Sequence, residues 1–206
     1  MEFWQWLLVP AAYLVGGIPF GLVVARLASG VDVRRHGSGN VGTTNVLRTA
    51  GWRAAVAVML LDMAKAAVAV GFARWLVGDA TLEVAVALAA VAGHNWSPYL
   101  KGKGGRGVAS SLGVVIVLFP LAALASLAVS LPLIVWTRYV SLGSIAGSVV
   151  VCVAIAVNVY FDSRHWVYAL LGLAIAVLIV VQHRDNIRRL LRGTERKLGE
   201  RVAVQR

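Results

Sequence analysis

The sequence predicts an all-α, polytopic integral membrane protein with seven transmembrane helices, and three observations carry that prediction. Of its 206 residues, 59% are hydrophobic, and the mean hydropathy is +0.78; soluble domains hold roughly 45–50% apolar residues. The apolar residues fall in nearly unbroken runs of membrane length. The charges, 20 Lys and Arg against 9 Asp and Glu for a net +11, collect in short stretches between those runs, with the basic ones biased to one side.

A helix needs about 20 apolar residues to cross a bilayer. The first run, 3–28, follows Glu2 rather than a basic segment and has no clear small-residue cleavage site before Gly30. It therefore reads as a retained transmembrane helix rather than a signal peptide. The runs at 53–77, 82–96, 142–159 and 166–181 each read as one span, the one at 82–96 being short and lengthened by its flanks. The run 108–136 has two readings. As one helix it would be roughly 43 Å long; as two spans broken at Phe119–Pro120 each piece is short. Pro132 interrupts the run a second time.

Charge decides between these readings. With two spans, Arg34, Arg35, Arg48, Arg53, Lys101, Lys103, Arg106, Arg138 and the basic tail share one side. The other side holds Glu2, Asp79, Glu83 and Asp162, with Arg164 as its main basic residue. With one span the tail falls outside. The positive-inside rule thus predicts seven spans, an outside N-terminus and a cytoplasmic C-terminus. All of 1–206 forms one transmembrane domain, because the longest polar loop, 29–52, is too short to bury a core. The tail 184–206 reads as a basic interfacial helix. The single cysteine, Cys152, allows no intrachain disulfide.

Three polar clusters fall on the basic side, in loops at about 34–48, 93–109 and 183–197. In the first, Gly37, Gly39 and Gly42 alternate with Ser38, Asn40, Thr44 and Asn45, and Arg48 follows. Glycine lets the backbone approach a ligand, and successive N–H groups can form an anion-binding nest. Arg48 adds a fixed charge with bidentate geometry. In the second, Lys101, Lys103 and Arg106 alternate with glycines at the start of a helix. A helix N-terminus favours anions, and Lys103, Gly104, Gly105 and Arg106 read as a compact phosphate cradle. In the third, His183 and Asn186 share a helix face at spacing three, among arginines suited to lipid phosphates. Ser141 and Ser144, next to Arg138, fall on the same side. Asp62 and Lys65 lie within a span, at a spacing that lets them pair.

Several classes are excluded. The first cluster lacks the lysine of a nucleotide-binding P-loop. The four histidines form no His-x-x-x-His pair and carboxylates are scarce, so no metal site is expected. No soluble domain is available for a cofactor, and none is expected. No histidine is followed by aspartate at the spacing of the acyl-CoA-dependent acyltransferases. No nucleic-acid partner is expected.

Taken together, the three clusters resemble the PlsY-type acyl-phosphate:glycerol-3-phosphate acyltransferases of bacterial inner membranes. That family's pattern is roughly G-S-G-N-P-G-A-T-N-V-x-R, then a G-H segment leading to K-G-G-K-G-V-A, then H-R-x-N-I-x-R-L-x-x-G-x-E. Residues 37–48, 93–109 and 183–195 match it in order and spacing. Val41, Thr43 and Arg106 depart from it, standing where proline, alanine and a second lysine are usual; Arg106 keeps the charge.

The resemblance implies transfer of a fatty acyl group from acyl-phosphate to the 1-hydroxyl of glycerol 3-phosphate, giving lysophosphatidic acid and phosphate at the cytoplasmic face. It implies functional roles for Ser38, Asn40, Thr44, Arg48, Lys103, Arg106, Ser144, His183 and Asn186. Gly39, Gly42, Asn45, Gly104, Gly105 and Glu195 complete the expected phosphate-binding set. Membrane lipids and the soluble enzyme that makes acyl-phosphate are the implied partners. Two routes for the proton stay open: His183 as general base, or a phosphate oxygen of the substrate with His183 positioning. A transporter or channel for a phosphorylated solute is the alternative from another class, although transporter sites usually lie near the midplane.

Overall fold

The structure is a computed structural model that describes residues 2–162 and 164–200, and all of its regular structure is helical. Ten α-helices follow one another: α1 (Leu8–Gly17), α2 (Phe20–Ser29), α3 (Thr43–Ala50), α4 (Trp52–Leu76), α5 (Ala80–Asn95), α6 (Val108–Leu118), α7 (Pro120–Thr137), α8 (Val140–Phe161), α9 (Val167–Gln182) and α10 (Arg184–Leu191).

Proline sets two of the breaks. Lacking an N–H, it cannot continue a helix from within, but it fits the first helical turn. Pro120 accordingly opens α7 after a non-helical Phe119, splitting the run 108–136 at the expected place. Pro132, by contrast, is carried inside α7 without ending it. Pro19 splits the first apolar run, expected as one helix, into α1 and α2. The freed Ile18 carbonyl accepts a hydrogen bond from Lys65 Nζ of α4 at 2.9 Å.

Small residues bring the helices together. Where lipid surrounds a bundle, apolar burial drives little association, so close backbone approach matters. Tyr13 and Gly16 of α1 meet Gly93 and Ala90 of α5 in close backbone contact, and the C-terminal ends of the two helices lie together, with Ser97 Oγ on the Gly17 carbonyl. A Cβ at Gly16 or Gly93 would lie 2.1 Å from a carbonyl oxygen of the other helix. Gly113 of α6 sits equally close to Met63 of α4, and Gly143 and Gly147 of α8 face Ile134, Ser130 and Ser126 of α7.

Cross-contacts sort the helix ends into two groups. At one end, Glu83 accepts from Tyr168 Oη at 2.7 Å, Phe119 packs edge-on to Tyr168, and Arg164 lies over Phe119. Arg74 reaches the Val117 carbonyl there. At the other end lie the loops bearing residues 34–48, 96–107, 138–144 and 183–198. The outer face is apolar: Leu121, Val135 and Trp136 are each at least three-quarters exposed, as a hydrocarbon surround requires.

Among the described residues, four helical stretches are long and apolar enough to cross a membrane: Phe3–Ser29, Trp52–Leu76, Pro120–Thr137 and Val140–Phe161. A fifth arises if Val167–Gln182 and Arg184–Leu191, bent by 60°, count as one span. Helix α5, with 16 residues, and α6, with 11, are shorter. The tail also differs from a continuous helix. Helix α10 stops at Leu191, and the chain then folds back as an irregular strap; the tail from 201 onward lies outside the described residues.

The expected Asp62–Lys65 pair is present at 2.7 Å and fully buried. His94 of α5 joins it, its Nδ1 lying 3.0 Å from Lys65 Nζ. With the Ile18 carbonyl, this cluster ties α1, α4 and α5 at one depth. Overpacking a close helix contact costs about 1–3 kcal/mol. Gly93→Ala should therefore lower the thermal-unfolding midpoint in detergent by several degrees. Gly71→Ala should not, because a Cβ there meets its nearest neighbour at 3.9 Å. Equal midpoints for the two variants would contradict this packing.

Candidate active site

The first polar loop is organised by Asn45, at the buried start of α3. Its Nδ2 donates to the carbonyls of Val33 at 2.8 Å, His36 at 3.1 Å and Asn40 at 2.8 Å. Its Oδ1 accepts from Ser38 N at 2.9 Å. One amide thus satisfies four backbone groups, and Gly37 is needed because a Cβ there would strike that oxygen. Asn40 Oδ1 accepts from Gly42 N at 2.7 Å, a side-chain-closed turn. This scaffolding turns Ser38, Thr44 and Arg48 toward a cavity of about 270 Å³.

The second loop wraps around His94. Gly105 N donates to the His94 carbonyl at 2.8 Å and Gly104 N to the Asn95 carbonyl at 3.1 Å. A Cβ at Gly105 would fall 1.9 Å from the His94 ring. These glycines allow close packing rather than forming an open nest, since their N–H groups are already used. Arg106 reaches the cavity; Lys103 is exposed and does not line it.

The third cluster lies where α9 ends. His183, just beyond α9, is buried, with Nδ1 2.8 Å from the Ile179 carbonyl. A carbonyl accepts only, so Nδ1 carries the proton and Nε2 is left as an acceptor. Burial holds the imidazole pKa down to about 4, helped by the Arg106 charge and opposed by the Ile179 bond and by Glu195. The ring is therefore neutral near pH 7. One turn on, Asn186 donates to Glu195 Oε1. That carboxylate also accepts from Ser141 Oγ at 3.0 Å and Arg189 Nε at 2.7 Å.

Ser38, Asn40, Gly42, Thr44, Asn45, Arg48, Arg106, Ser144, His183, Asn186 and Glu195 thus line one cavity. Gly39, Lys103, Gly104 and Gly105 do not. Three of the lining residues stand differently from the expectation of direct phosphate contact. Asn45 has spent its hydrogen bonds on the loop. Glu195 is an acceptor that repels phosphate, and it orients Asn186 instead. Ser144 Oγ is turned to the Val140 carbonyl at 2.9 Å.

The structure adds lining residues that the motifs did not single out. Ser111 and Thr43 put buried hydroxyls there with no hydrogen-bond partner among the described residues, as does the Asn186 Oδ1 carbonyl. Ser111 lies one helical turn after Gly107, and that spacing is the signal that could have found it. Asp62 and His94 form part of the wall. Further in, Leu112, Val115, Val151, Ile175 and Ile179 make the cavity apolar.

Arg48 and Arg106 carry the electrostatics. Each is half-buried, and neither has a carboxylate partner among the described residues. Among the described residues, Arg48 donates only to the Arg196 carbonyl, at 3.3 Å. Desolvation pulls the pKa of both guanidinium groups down. Neighbouring arginines push the same way, and Glu195 partly opposes them. Arginine keeps its proton regardless, so the cavity holds concentrated, poorly compensated positive charge beside apolar walls. That combination suits an anionic headgroup joined to a hydrocarbon chain.

Comparison with known proteins gives the same class. The family model described as glycerol-3-phosphate acyltransferase matches residues 6–193. The glycerol-3-phosphate acyltransferase of Halalkalibacterium halodurans is 43% identical over 198 residues, covering 95% of this chain and 96% of its own. The crystal structure of PlsY (YgiH), an integral membrane glycerol 3-phosphate acyltransferase, in its glycerol 3-phosphate form superposes with a TM-score of 0.87 at 39% identity. That match covers 95% of this chain and 96% of the other. Its lysphosphatidic acid form gives 0.85 at 38% identity, with the same coverage. The chain belongs to the glycerol-3-phosphate acyltransferase family and is an integral membrane acyltransferase.

Proposed function

We propose that the chain transfers a fatty acyl group from acyl-phosphate to the 1-hydroxyl of glycerol 3-phosphate, releasing lysophosphatidic acid and inorganic phosphate. The observation that carries this reading is one cavity holding two half-buried arginines from separate loops, Arg48 and Arg106, neither with a carboxylate partner among the described residues, continuous with an apolar interior. Two phosphates in one site repel each other, and two guanidinium groups offset that repulsion. Acyl-phosphate is a reactive mixed anhydride, so the site has chiefly to orient the reactants and stabilise developing charge.

Roles follow from the geometry. Arg48, with Ser38 and Thr44, holds one phosphate; Arg106, with the free hydroxyl of Ser111, holds the other. Asn186, fixed by Glu195, orients the glycerol backbone. His183 Nε2 accepts a hydrogen bond from the attacking hydroxyl. Its low basicity favours a substrate phosphate oxygen as the final proton acceptor. Asn45, Gly39, Gly104 and Gly105 shape the loops, and Lys103 adds attraction at the rim.

The same reading extends to topology. We infer seven crossings, made by α1, α4, α5, α6, α7, α8 and α9, with an outside N-terminus and the site on the cytoplasmic side of a bacterial inner membrane. The grouping of basic motif loops at one end of the bundle supports it. Membrane lipids, and the soluble enzyme that supplies acyl-phosphate, are then its partners.

Purified protein given acyl-phosphate and glycerol 3-phosphate should release phosphate only when both are present, with no metal and no acyl-CoA. Arg48→Ala and Arg106→Ala should each lower kcat/KM by about 100-fold or more, a scale set by lost charge-assisted hydrogen bonds. Lys103→Ala should cost less than about tenfold, as an exposed charge does. The reverse ranking of Arg106 and Lys103 would overturn this assignment.

A pH experiment follows from His183. Its folded pKa, about 4, lies below the ordinary value near 6.5. Between those values the unfolded chain binds a proton that the native chain does not, so stability is lost as pH falls through that window. The thermal midpoint of the wild type should therefore drop relative to His183→Gln below about pH 6.5. Parallel curves for the two proteins would refute a buried neutral His183.

A further inference from the structure

Beyond α10 the chain turns back as a strap, and the residue that fastens it lies outside all three motif loops. Arg138 follows α7 with φ +62°. Glycine takes that left-handed backbone without steric cost, whereas arginine does not. The side chain at this strained position grips the strap: Nε lies 3.2 Å and Nη2 2.7 Å from the Leu198 carbonyl oxygen. Leu198 N donates back to the Arg138 carbonyl at 2.7 Å. Next to it, Lys197 Nζ stands 5.9 Å from the centroid of the Tyr139 ring.

Between this clasp and α10, the strap contributes two groups to the cavity wall. Glu195 receives Asn186, Ser141 and Arg189. The Arg196 carbonyl receives Arg48. Two of the residues given roles in substrate binding therefore owe their orientation to a short irregular segment. That segment has no helix of its own, and the Arg138–Leu198 pairing, with three hydrogen bonds, fastens its far end.

We propose that Arg138 is a positioning residue: by clasping Leu198 it holds the strap against the start of α8, and so presets Arg48 and Asn186 for glycerol 3-phosphate. Arg138 itself touches no substrate. The proposal rests on the acyltransferase reading above. A loosened strap would let water reach Glu195 and leave Arg48 without a fixed partner. The expected cost falls on substrate binding rather than on the transfer step, because the reacting groups are regained once substrate orders the site.

The test uses Arg138→Gly, which removes the guanidinium while easing the backbone, and Arg138→Lys, which retains one donor. Arg138→Gly should raise KM for glycerol 3-phosphate about tenfold and keep kcat within about threefold, the pattern of lost uniform binding. Trypsin should cut after Arg196 and Lys197 faster in Arg138→Gly than in the wild type. Arg138→Lys should fall between the two on both measures. Unchanged KM and cleavage in Arg138→Gly would overturn the proposal, as would a fall in kcat with KM held. Should Arg138→Gly not yield folded protein, Leu198→Pro, which deletes the N–H given to Arg138, is held to the same outcomes. If the wild type releases no phosphate from acyl-phosphate, the donor reading fails, while the cleavage comparison still decides the clasp.

Discussion

The site depends on withdrawing two guanidinium groups from water without giving either a carboxylate of its own. Taking a charge out of water costs several kcal/mol unless an opposite charge meets it. At Arg48 and Arg106 desolvation acts in that direction, and the two charges, with Arg189, also repel one another. The nearby carboxylate, Glu195, is already held by Arg189 at 2.7 Å. The remaining positive potential is what a phosphate relieves. A cavity of this kind binds anions because the protein left the compensation unfinished.

Such a cavity stays open only if everything around it is satisfied from within. Near a bilayer, unpaired backbone groups are costly, and the loops here use side chains to avoid them. Asn45 serves four backbone groups in the first loop. In the second, the carbonyls of His94 and Asn95 take up Gly105 and Gly104, and Ser97 Oγ donates to the Gly17 carbonyl at 2.6 Å. Beneath them, the Asp62–Lys65–His94 cluster fills the broken turn at Ile18–Pro19. The hydroxyls left unpaired, at Thr43 and Ser111, are the ones facing the cavity. Polar atoms used for building and polar atoms left for ligand thus stand side by side in one cavity wall.

Some of this was legible from local rules. The break at Phe119–Pro120 follows from proline's missing N–H, and the pairing of Asp62 with Lys65 from helical spacing. His183 and Asn186, three apart, do share the cavity. The break at Ile18–Pro19 carries the same proline signal, but continuous hydropathy on both sides masks it. Pro132 is tolerated because an interior proline need not end a helix that is packed along its length. Lys103 and Arg106 look equivalent in sequence, yet one is exposed and the other inside. Their separation is set by how the loop curls around His94, a contact with another helix.

Sequence alone determined the class of molecule, the helical runs, the location of the cations and the family, because hydropathy, charge and motif order are properties of the chain itself. Tertiary structure alone decided which polar groups are spent and which are free. Asn45 became a scaffold, Glu195 an orienting carboxylate, and Ser111 an open hydroxyl. A hydrogen bond has a fixed number of places, and distant segments such as 33–40 and 195–198 arrive to fill them. Which donors remain for a substrate is known only after those segments have docked.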